Sequence, residues 1–366
     1  MSKFFGHDES IGKHKNAERQ KPDHGVGKVN LGSPPLRGQD CSWPTQKNKD
    51  ASNRRRIIES RSNHAYLNPE KRENYLFNSS INGIEESDFI FIIGSNPRYE
   101  ATILNTRIRK AYLRNKTKIV SLNNVGNLTY PYDFLNGKTE DIKEIIEDKH
   151  ALSNIIKGSK KPLIILGQSV LSSNSGKYIF ESIKYFLKKN GKINNEWNSL
   201  NIISENASTV GSLDLGIFQT TDGSNQILTN LENNKYELIF LLGQDSLKFK
   251  KKNEFIIYQG SHGDQGAEIA DIILPGAAYT EQDGYFTNLE GKLQKAYKAS
   301  YSPGEAREDW QIINDLAEVI NNKKLFKNKE ELESSLLNNL NLMCEKNIYN
   351  NSFSERTVWS DHSPYG

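Results

Sequence analysis

Three segments of this chain repeat one pattern: a run of consecutive apolar residues, a glycine, and then polar residues. They are Phe89-Ile90-Phe91-Ile92-Ile93-Gly94-Ser95-Asn96, Pro162-Leu163-Ile164-Ile165-Leu166-Gly167-Gln168-Ser169 and Leu238-Ile239-Phe240-Leu241-Leu242-Gly243-Gln244-Asp245. Apolar runs of this length without polar alternation fit strands buried on both faces, the habit of parallel sheets covered by helices. The glycine after each run lets the chain turn sharply or approach a ligand closely. Further strands are expected at Lys118–Leu122, Phe255–Tyr258 and Ile272–Leu274, and helices at Glu100–Leu113, Lys177–Lys189 and Ser224–Asn233. Thr139–Ile156 reads as one helix, its stripe formed by Ile142, Ile145, Ile146, Leu152, Ile155 and Ile156, with Thr139 as N-cap. This alternation of elements points to an α/β fold built on a doubly wound, mostly parallel sheet.

The apolar residues concentrate in the middle of the 366-residue chain. Residues 1–72 are rich in Lys, Asn, Gly, Ser, Asp and Pro and have no helical or strand periodicity, so they are expected to be disordered or draped over partners. Residues 73–320 form the expected α/β domain. Residues 321–366 form a helical tail with a stripe at Leu332, Leu336, Leu340 and Met343, although positions 356–366 show no pattern.

Composition excludes several classes. Lys and Arg number 48 against 45 Asp and Glu, a net charge of +3, without the concentrated basic face of a nucleic-acid binder. The runs at Arg54–Arg56 and Lys248–Lys252 are short enough to be solvated surface. There are two cysteines, Cys41 and Cys344, and seven scattered histidines. An iron–sulfur cluster needs about four thiolates and a structural zinc about four Cys or His ligands, so neither a cluster nor a metal is expected on this chain. Such sparse cysteine also fits a reducing compartment. Apolar runs are strand-length, well short of the roughly 18–20 residues of a membrane-spanning helix. Residues 1–23 lack the apolar core of a signal peptide, and Asp8, Glu9 and Glu18 interrupt what basic character they have.

Candidate sites are the turns. Gly94-Ser95-Asn96 and Gly243-Gln244-Asp245 would lie at carboxyl ends of strands, where open α/β sheets bind ligands and where helix N-termini attract phosphate. None has the G-x-G-x-x-G or P-loop spacing, so a purely architectural turn is the favoured reading from pattern alone, since short βα loops commonly carry glycine. His262 sits in a glycine-rich stretch, Gln259–Glu268, and Glu281 and Asp283 flank Gln282. No nucleophile stands at a telling distance from either, so a solvated histidine and a capped turn are the plain readings, and no catalytic residue is expected.

A longer ordered stretch carries a family resemblance. Ile269-Ala270-Asp271-Ile272-Ile273-Leu274-Pro275, then Glu281, then Gly284-Tyr285-Phe286-Thr287-Asn288-Leu289-Glu290-Gly291-Lys292-Leu293-Gln294, resembles the molybdopterin oxidoreductases, with Lys292 where the family has Arg. Asn74–Ile81, Gly94–Lys110, Tyr258–Asp264 and Pro303–Trp310 are similar to the branch found in the large iron–sulfur subunit of NADH:quinone oxidoreductase (complex I). The likeness runs from about Glu73 to Ile320, and the cysteine-rich, ferredoxin-like part of that subunit has no counterpart here.

The resemblance implies a sheet of molybdopterin oxidoreductase or formate dehydrogenase type. It also implies a vestigial pterin pocket at Gly94, Ser95, Asn96, Gly243, Asp245, Asn288 and Gln294 that binds no cofactor. FMN and iron–sulfur clusters would be carried by partner subunits, among them a separate iron–sulfur half of the same subunit. It implies a structural role in the peripheral arm, with the Leu332–Met343 stripe available for an interface, on the matrix side of the mitochondrial inner membrane or the cytoplasmic face of a bacterial one. The competing implication is an active, formate dehydrogenase-like molybdopterin enzyme.

Overall fold

A computed structural model describes residues 58–346 except 62, 219–225, 234, 245–246, 248 and 264. Cys41 and Asp245 therefore lie outside the described residues. The first half of the body contains β1 (Phe89–Ile93), α1 (Pro97–Glu100), α2 (Thr102–Asn115), β2 (Lys118–Ser121), β3 (Asp133–Phe134), α3 (Thr139–Ile146) and α4 (Ala151–Gly158). β4 (Pro162–Leu166), α5 (Gln168–Leu171), α6 (Gly176–Lys189) and β5 (Leu200–Ile202) follow. The five strands pair in parallel in the order β3-β2-β1-β4-β5. The chain winds one way from β1 to β3 and then returns to the other side of β1, so the sheet is doubly wound.

Its two faces are filled as the apolar runs predict. Phe89, Phe91 and Ile93 of β1 and Ile164 and Leu166 of β4 point to one side, where Ile142, Ile145, Leu152, Ile156, Ile179, Ile183 and Phe186 of α3, α4 and α6 cover them. Ile90, Ile92, Leu163 and Ile165 point to the other, under Leu104 and Ile108 of α2 with Ile84, Leu128 and Phe77. Every residue of β1 and β4 is buried. At roughly 1.5–3 kcal/mol for each large aliphatic or aromatic side chain removed from water, these two strands anchor the body.

The packed body starts upstream of the boundary at residue 73 expected from composition. Ala65, Tyr66 and Leu67 are buried in the first core, where the Tyr66 ring tilts against Phe180 at 5.5 Å. Arg61 and Arg72 are buried as well. A polar stretch of sequence supplies only a few apolar contacts here, too few to produce periodicity.

Thr139–Ile156 is two helices rather than one. The chain leaves α3 at Glu147 and passes through Asp148 in the left-handed region (φ +64) before His150 caps α4 by accepting from the Leu152 N–H at 3.1 Å. Thr139 is the first residue of α3 rather than its cap, and Asp141 reaches back to the Lys138 N–H at 3.4 Å. The apolar stripe stays in phase across the break, which hides it from periodicity.

The second half comprises α7 (Thr209–Asp214), α8 (Gln226–Glu232), β6 (Leu238–Leu242), β7 (Phe255–Gly260), α9 (Gln265–Ile269) and β8 (Ile272–Pro275). β9 (Gly284–Thr287), β10 (Leu293–Ala296), α10 (Asp309–Asn321) and α11 (Lys329–Lys346) complete it. β6, β7 and β8 pair in parallel as a three-stranded sheet, and β9 and β10 form an antiparallel hairpin. The fold is thus α/β and mostly parallel. Two expectations fail here. The β6 run is not buried on both faces: Leu238 and Phe240 are exposed. The Leu332, Leu336 and Leu340 stripe is not free for a partner either, because it is buried in this chain with Tyr285, Leu293 and Trp310. No described helix is long and apolar enough to cross a membrane.

Candidate functional site

In an open parallel sheet the ligand crevice opens where strand order reverses, beyond the carboxyl ends of the strands. In the first sheet that place lies between β1 and β4, where the Gly94-Ser95-Asn96 and Gly167-Gln168-Ser169 turns meet. Gly94 has φ +64, which favours glycine, and a Cβ built there would stand 2.3 Å from the Val170 Cβ. A Cβ on Gly167 would stand 2.2 Å from the Gly94 carbonyl oxygen and 2.4 Å from the Ser95 Cβ. The glycines let the two turns pack directly against each other. The contact is tied: the Gly167 N–H donates to Ile93 O at 2.9 Å, and the Ser169 hydroxyl donates to Gly94 O at 2.6 Å.

The polar groups of Ser95 and Asn96 are engaged within the chain. The Ser95 hydroxyl donates to one oxygen of Glu100 at 2.7 Å, and the Asn96 N–H donates to the other at 2.7 Å. The Asn96 side chain accepts from the Arg98 N–H at 3.2 Å and donates to Val125 O at 2.8 Å. The Ser95 hydroxyl and the Asn96 N–H thus both point to the Glu100 carboxylate. Glu100 follows the turn closely enough to fold back on it, a contact the sequence analysis did not single out.

The other candidate pocket residues lie on different pieces of structure. Gly243 has φ +59 and donates its N–H to Gln259 O at 2.7 Å, closing the turn after β6 onto β7 of the second sheet. Asn288 lies in the β9–β10 turn, where its side-chain oxygen accepts from the Lys292 N–H at 2.8 Å. Gln294 is exposed on β10, paired with Phe286. Lys292, in the family's Arg position, is exposed too.

The hairpin turn instead joins residues 72–81 to the second half of the body. Phe77 N–H donates to Leu289 O at 2.8 Å, Ile81 N–H to the Glu290 carboxylate at 2.9 Å, and the Arg72 guanidinium to Gly291 O at 2.7 Å. Arg72 also donates from Nε and Nη2 to the two oxygens of Asp214, both at 2.8 Å, and the Tyr75 hydroxyl donates to Asp214 at 2.9 Å. All three side chains are buried. Gly291 has φ +83, a conformation that L side chains rarely adopt, and a Cβ there would also lie 2.8 Å from an Arg72 guanidinium nitrogen. Sequence reasoning did not find this network, since Arg72 looks like any surface basic residue.

The remaining motifs resolve as structure. His262 is exposed, its Nδ1 2.9 Å from the Ser261 hydroxyl, and its carbonyl accepts from the Tyr258 hydroxyl at 2.8 Å. Tyr258 explains two of the loop's glycines: a Cβ on Gly260 would lie 2.2 Å from its hydroxyl, and one on Gly266 2.7 Å from its ring. Glu281 caps a turn by accepting from the Ala278 N–H at 2.9 Å. Asp283 accepts from the Lys298 N–H at 2.8 Å and from the Lys329 ammonium at 2.9 Å, which together hold its carboxyl below the usual range. Burial pushes the Lys329 ammonium down, but its hydrogen bonds to Glu308 and Asp283 outweigh that and raise it overall. Among the described residues no cluster of three His, Cys, Asp or Glu is placed to hold a metal ion.

Comparison with known proteins gives these motifs their context. The family model for molybdopterin oxidoreductase matches residues 39–319. The chain is 43% identical over 273 residues to the NADH-ubiquinone oxidoreductase 75 kDa subunit of Reclinomonas americana, covering 74% of this chain and 39% of that protein. It is 41% identical over 263 residues to the mitochondrial NADH-ubiquinone oxidoreductase 78 kDa subunit of Candida albicans (69% and 34%). A subunit of the NADH-quinone oxidoreductase of Rickettsia bellii is 39% identical over 271 residues (74% and 38%). The chain thus spans under two fifths of the length of these relatives. Acetylene hydratase from Pelobacter acetylenicus superposes on 65% of this chain and 49% of its own at 11% identity with a TM-score of 0.35, a likeness that carries no weight for this fold. With more than three quarters of its length inside the family model, and the ordered Ile269–Gln294 motif within it, the chain belongs to the molybdopterin oxidoreductase family.

Proposed function

We propose that this chain is a structural, non-redox part of the peripheral arm of a proton-translocating NADH:ubiquinone oxidoreductase. It supports the iron–sulfur half of the large subunit while electrons pass through clusters and FMN held elsewhere. The relatives named as subunits of that enzyme support membership. The observation that carries the non-catalytic reading is Glu100: its carboxylate takes the Ser95 and Asn96 donors, at the edge of a crevice in which the β1 and β4 turns already touch. A pterin phosphate would have to displace a tethered carboxylate and meet its negative charge, which opposes anion binding. The protein would act on the matrix side of the mitochondrial inner membrane, held there by its partners.

The test is mass spectrometry of native-gel bands from a mild-detergent extract, with elemental analysis of the purified chain. Co-migration with NADH dehydrogenase activity and molybdenum far below one atom per chain are expected. Absence from that band would refute membership. Stoichiometric molybdenum would favour the alternative, an active formate dehydrogenase-like enzyme.

A further inference from the structure

α2 packs on the first sheet through Leu104 and Ile108. Thr102, Thr106, Arg109 and Leu113, spaced three or four residues apart on its far side, are exposed. There a cleft of about 460 Å³ runs between α2 and the loop ahead of β3, lined by Thr106, Arg109, Lys110 and Leu113, by Arg98 of α1 and by Thr129 of the loop. Its volume falls in the range of about 300–1,000 Å³ that holds small molecules. Three of the lining residues are cations, and no carboxylate lines it. α2 itself carries Arg107, Arg109, Lys110 and Arg114 and no acidic residue. Glu85 pairs with Arg107, Lys110 and Arg114. Among the described residues no ion pair or hydrogen bond engages the Arg109 side chain, so the cleft keeps an excess of positive charge.

The wall facing α2 is fixed in advance. Arg98 donates to Asn127 O at 2.7 Å, the Asn105 amide to Leu128 O at 3.1 Å, and the Tyr130 hydroxyl to the Asn105 side-chain oxygen at 2.8 Å. Between these ties Thr129 adopts φ +74, a left-handed conformation that a β-branched residue rarely takes. Strain of this kind persists only where the surroundings impose it, and it gathers where ligands are held. Here it belongs to a residue that lines the cleft.

We propose that this cleft binds a small phosphate-bearing molecule, with Arg98, Arg109 and Lys110 holding the phosphate and the Thr106 and Thr129 hydroxyls donating to it. A phosphate ester carries about −1.5 to −2 charges and three strong acceptor oxygens at neutral pH. A single carboxylate would leave the three cations in excess. Guanidinium groups also match phosphate oxygens two at a time, which suits the two arginines. The part of the cleft beside Leu113 leaves room for an organic group attached to the phosphate. Gly94, Ser95, Asn96 and Gly167 are not among the lining residues, so the site is separate from the crevice between β1 and β4. It stands on the cleft alone, whether or not the chain enters complex I.

The experiment is isothermal titration calorimetry of the full-length chain at constant ionic strength, with inorganic pyrophosphate and ADP as phosphate probes. Citrate and a polyglutamate peptide serve as carboxylate probes. At least one phosphate probe should saturate a single site with a Kd of about 1 mM or below, and both carboxylate probes should bind about tenfold or more weakly. Arg109→Gln removes a side chain with no described partner, so the melting temperature without ligand should stay unchanged. Phosphate binding should nonetheless weaken about tenfold or more, as expected when a charge-assisted contact is lost. Arg114→Gln deletes the same charge outside the cleft and should leave the Kd within about twofold, since exposed charges at a distance are screened. The proposal is overturned by the absence of saturable phosphate binding or by equal losses in the two variants, which would mark a diffuse field rather than a site. Citrate binding as tightly as the phosphate probes also overturns it, and polyglutamate doing so would assign the cleft to an acidic protein segment instead.

Discussion

Replacing Arg72 by Met should destabilise the chain out of proportion to one lost ion pair. The Arg72 and Asp214 side chains are 4% and 6% exposed, and the guanidinium supplies two hydrogen bonds to that carboxylate and one to Gly291 O. Once it is gone, Asp214 is a buried negative charge with the Tyr75 hydroxyl still donating to it, and Gly291 O loses its donor. Breaking a buried pair by removing one partner costs about 3–5 kcal/mol. For a chain of this size each kcal/mol shifts the melting temperature by about 2 °C, so a drop of roughly 6–10 °C is expected by calorimetry or circular dichroism. The double variant Arg72→Met, Asp214→Asn removes both charges while leaving an acceptor for Tyr75, and should recover at least half of that loss. A single-variant cost below about 1 kcal/mol, or a double variant worse than the sum of the two singles, would refute the reasoning, because the cost is attributed to the charge left behind.

Further outcomes follow from the crevice and the C-terminal helix. Gly167→Ala forces a methyl to within 2.2 Å of Gly94 O and should cost upwards of about 2 kcal/mol in urea denaturation, since backbone rather than a flexible side chain must yield. Glu100→Ala strips the acceptors from the buried Ser95 hydroxyl and the Asn96 N–H and should cost about 1–2 kcal/mol, a loss checked by the same titration. Asp283 titrates below its ordinary value of about 3.9, so its contribution is complete above that pH and lost as the pH falls through the lower folded value. Acid should therefore loosen α11, followed by fluorescence of Trp310, which packs in that core, and Asp283→Asn should flatten the acid limb of the change.

How much of this was legible follows from which interactions are local. β1, β4 and β6 are written as aliphatic runs, and the glycines after them mark the turns correctly. What those runs cannot carry is who covers them. Phe89–Ile93 and Leu238–Leu242 look alike in sequence, yet the first is buried throughout and the second is exposed on alternate residues. The break at Asp148 was hidden because no glycine or proline marks it and the stripe resumes in phase. The glycine turn after β1 is legible as a strand end, but the hydrogen bonds that Ser95 and Asn96 make to Glu100 depend on side-chain placement that residue types alone do not give. Likewise the Asn288–Gln294 motif was recognisable as a string, while its contacts with Arg72, Phe77 and Ile81 come from far along the chain.

Those contacts also bear on the order in which the molecule can be completed. The Arg72–Gly291 bond closes over 219 residues of chain. At a synthesis rate of about 5–20 residues per second, the guanidinium leaves the ribosome roughly 10–45 s before its carbonyl partner exists. Through that interval β1 to β5 can assemble, but the margin around Phe77 and Ile81 stays unsealed until the hairpin arrives. A nascent chain stalled ahead of Gly291 should therefore display a protease-sensitive flank at residues 72–81 on an otherwise resistant sheet.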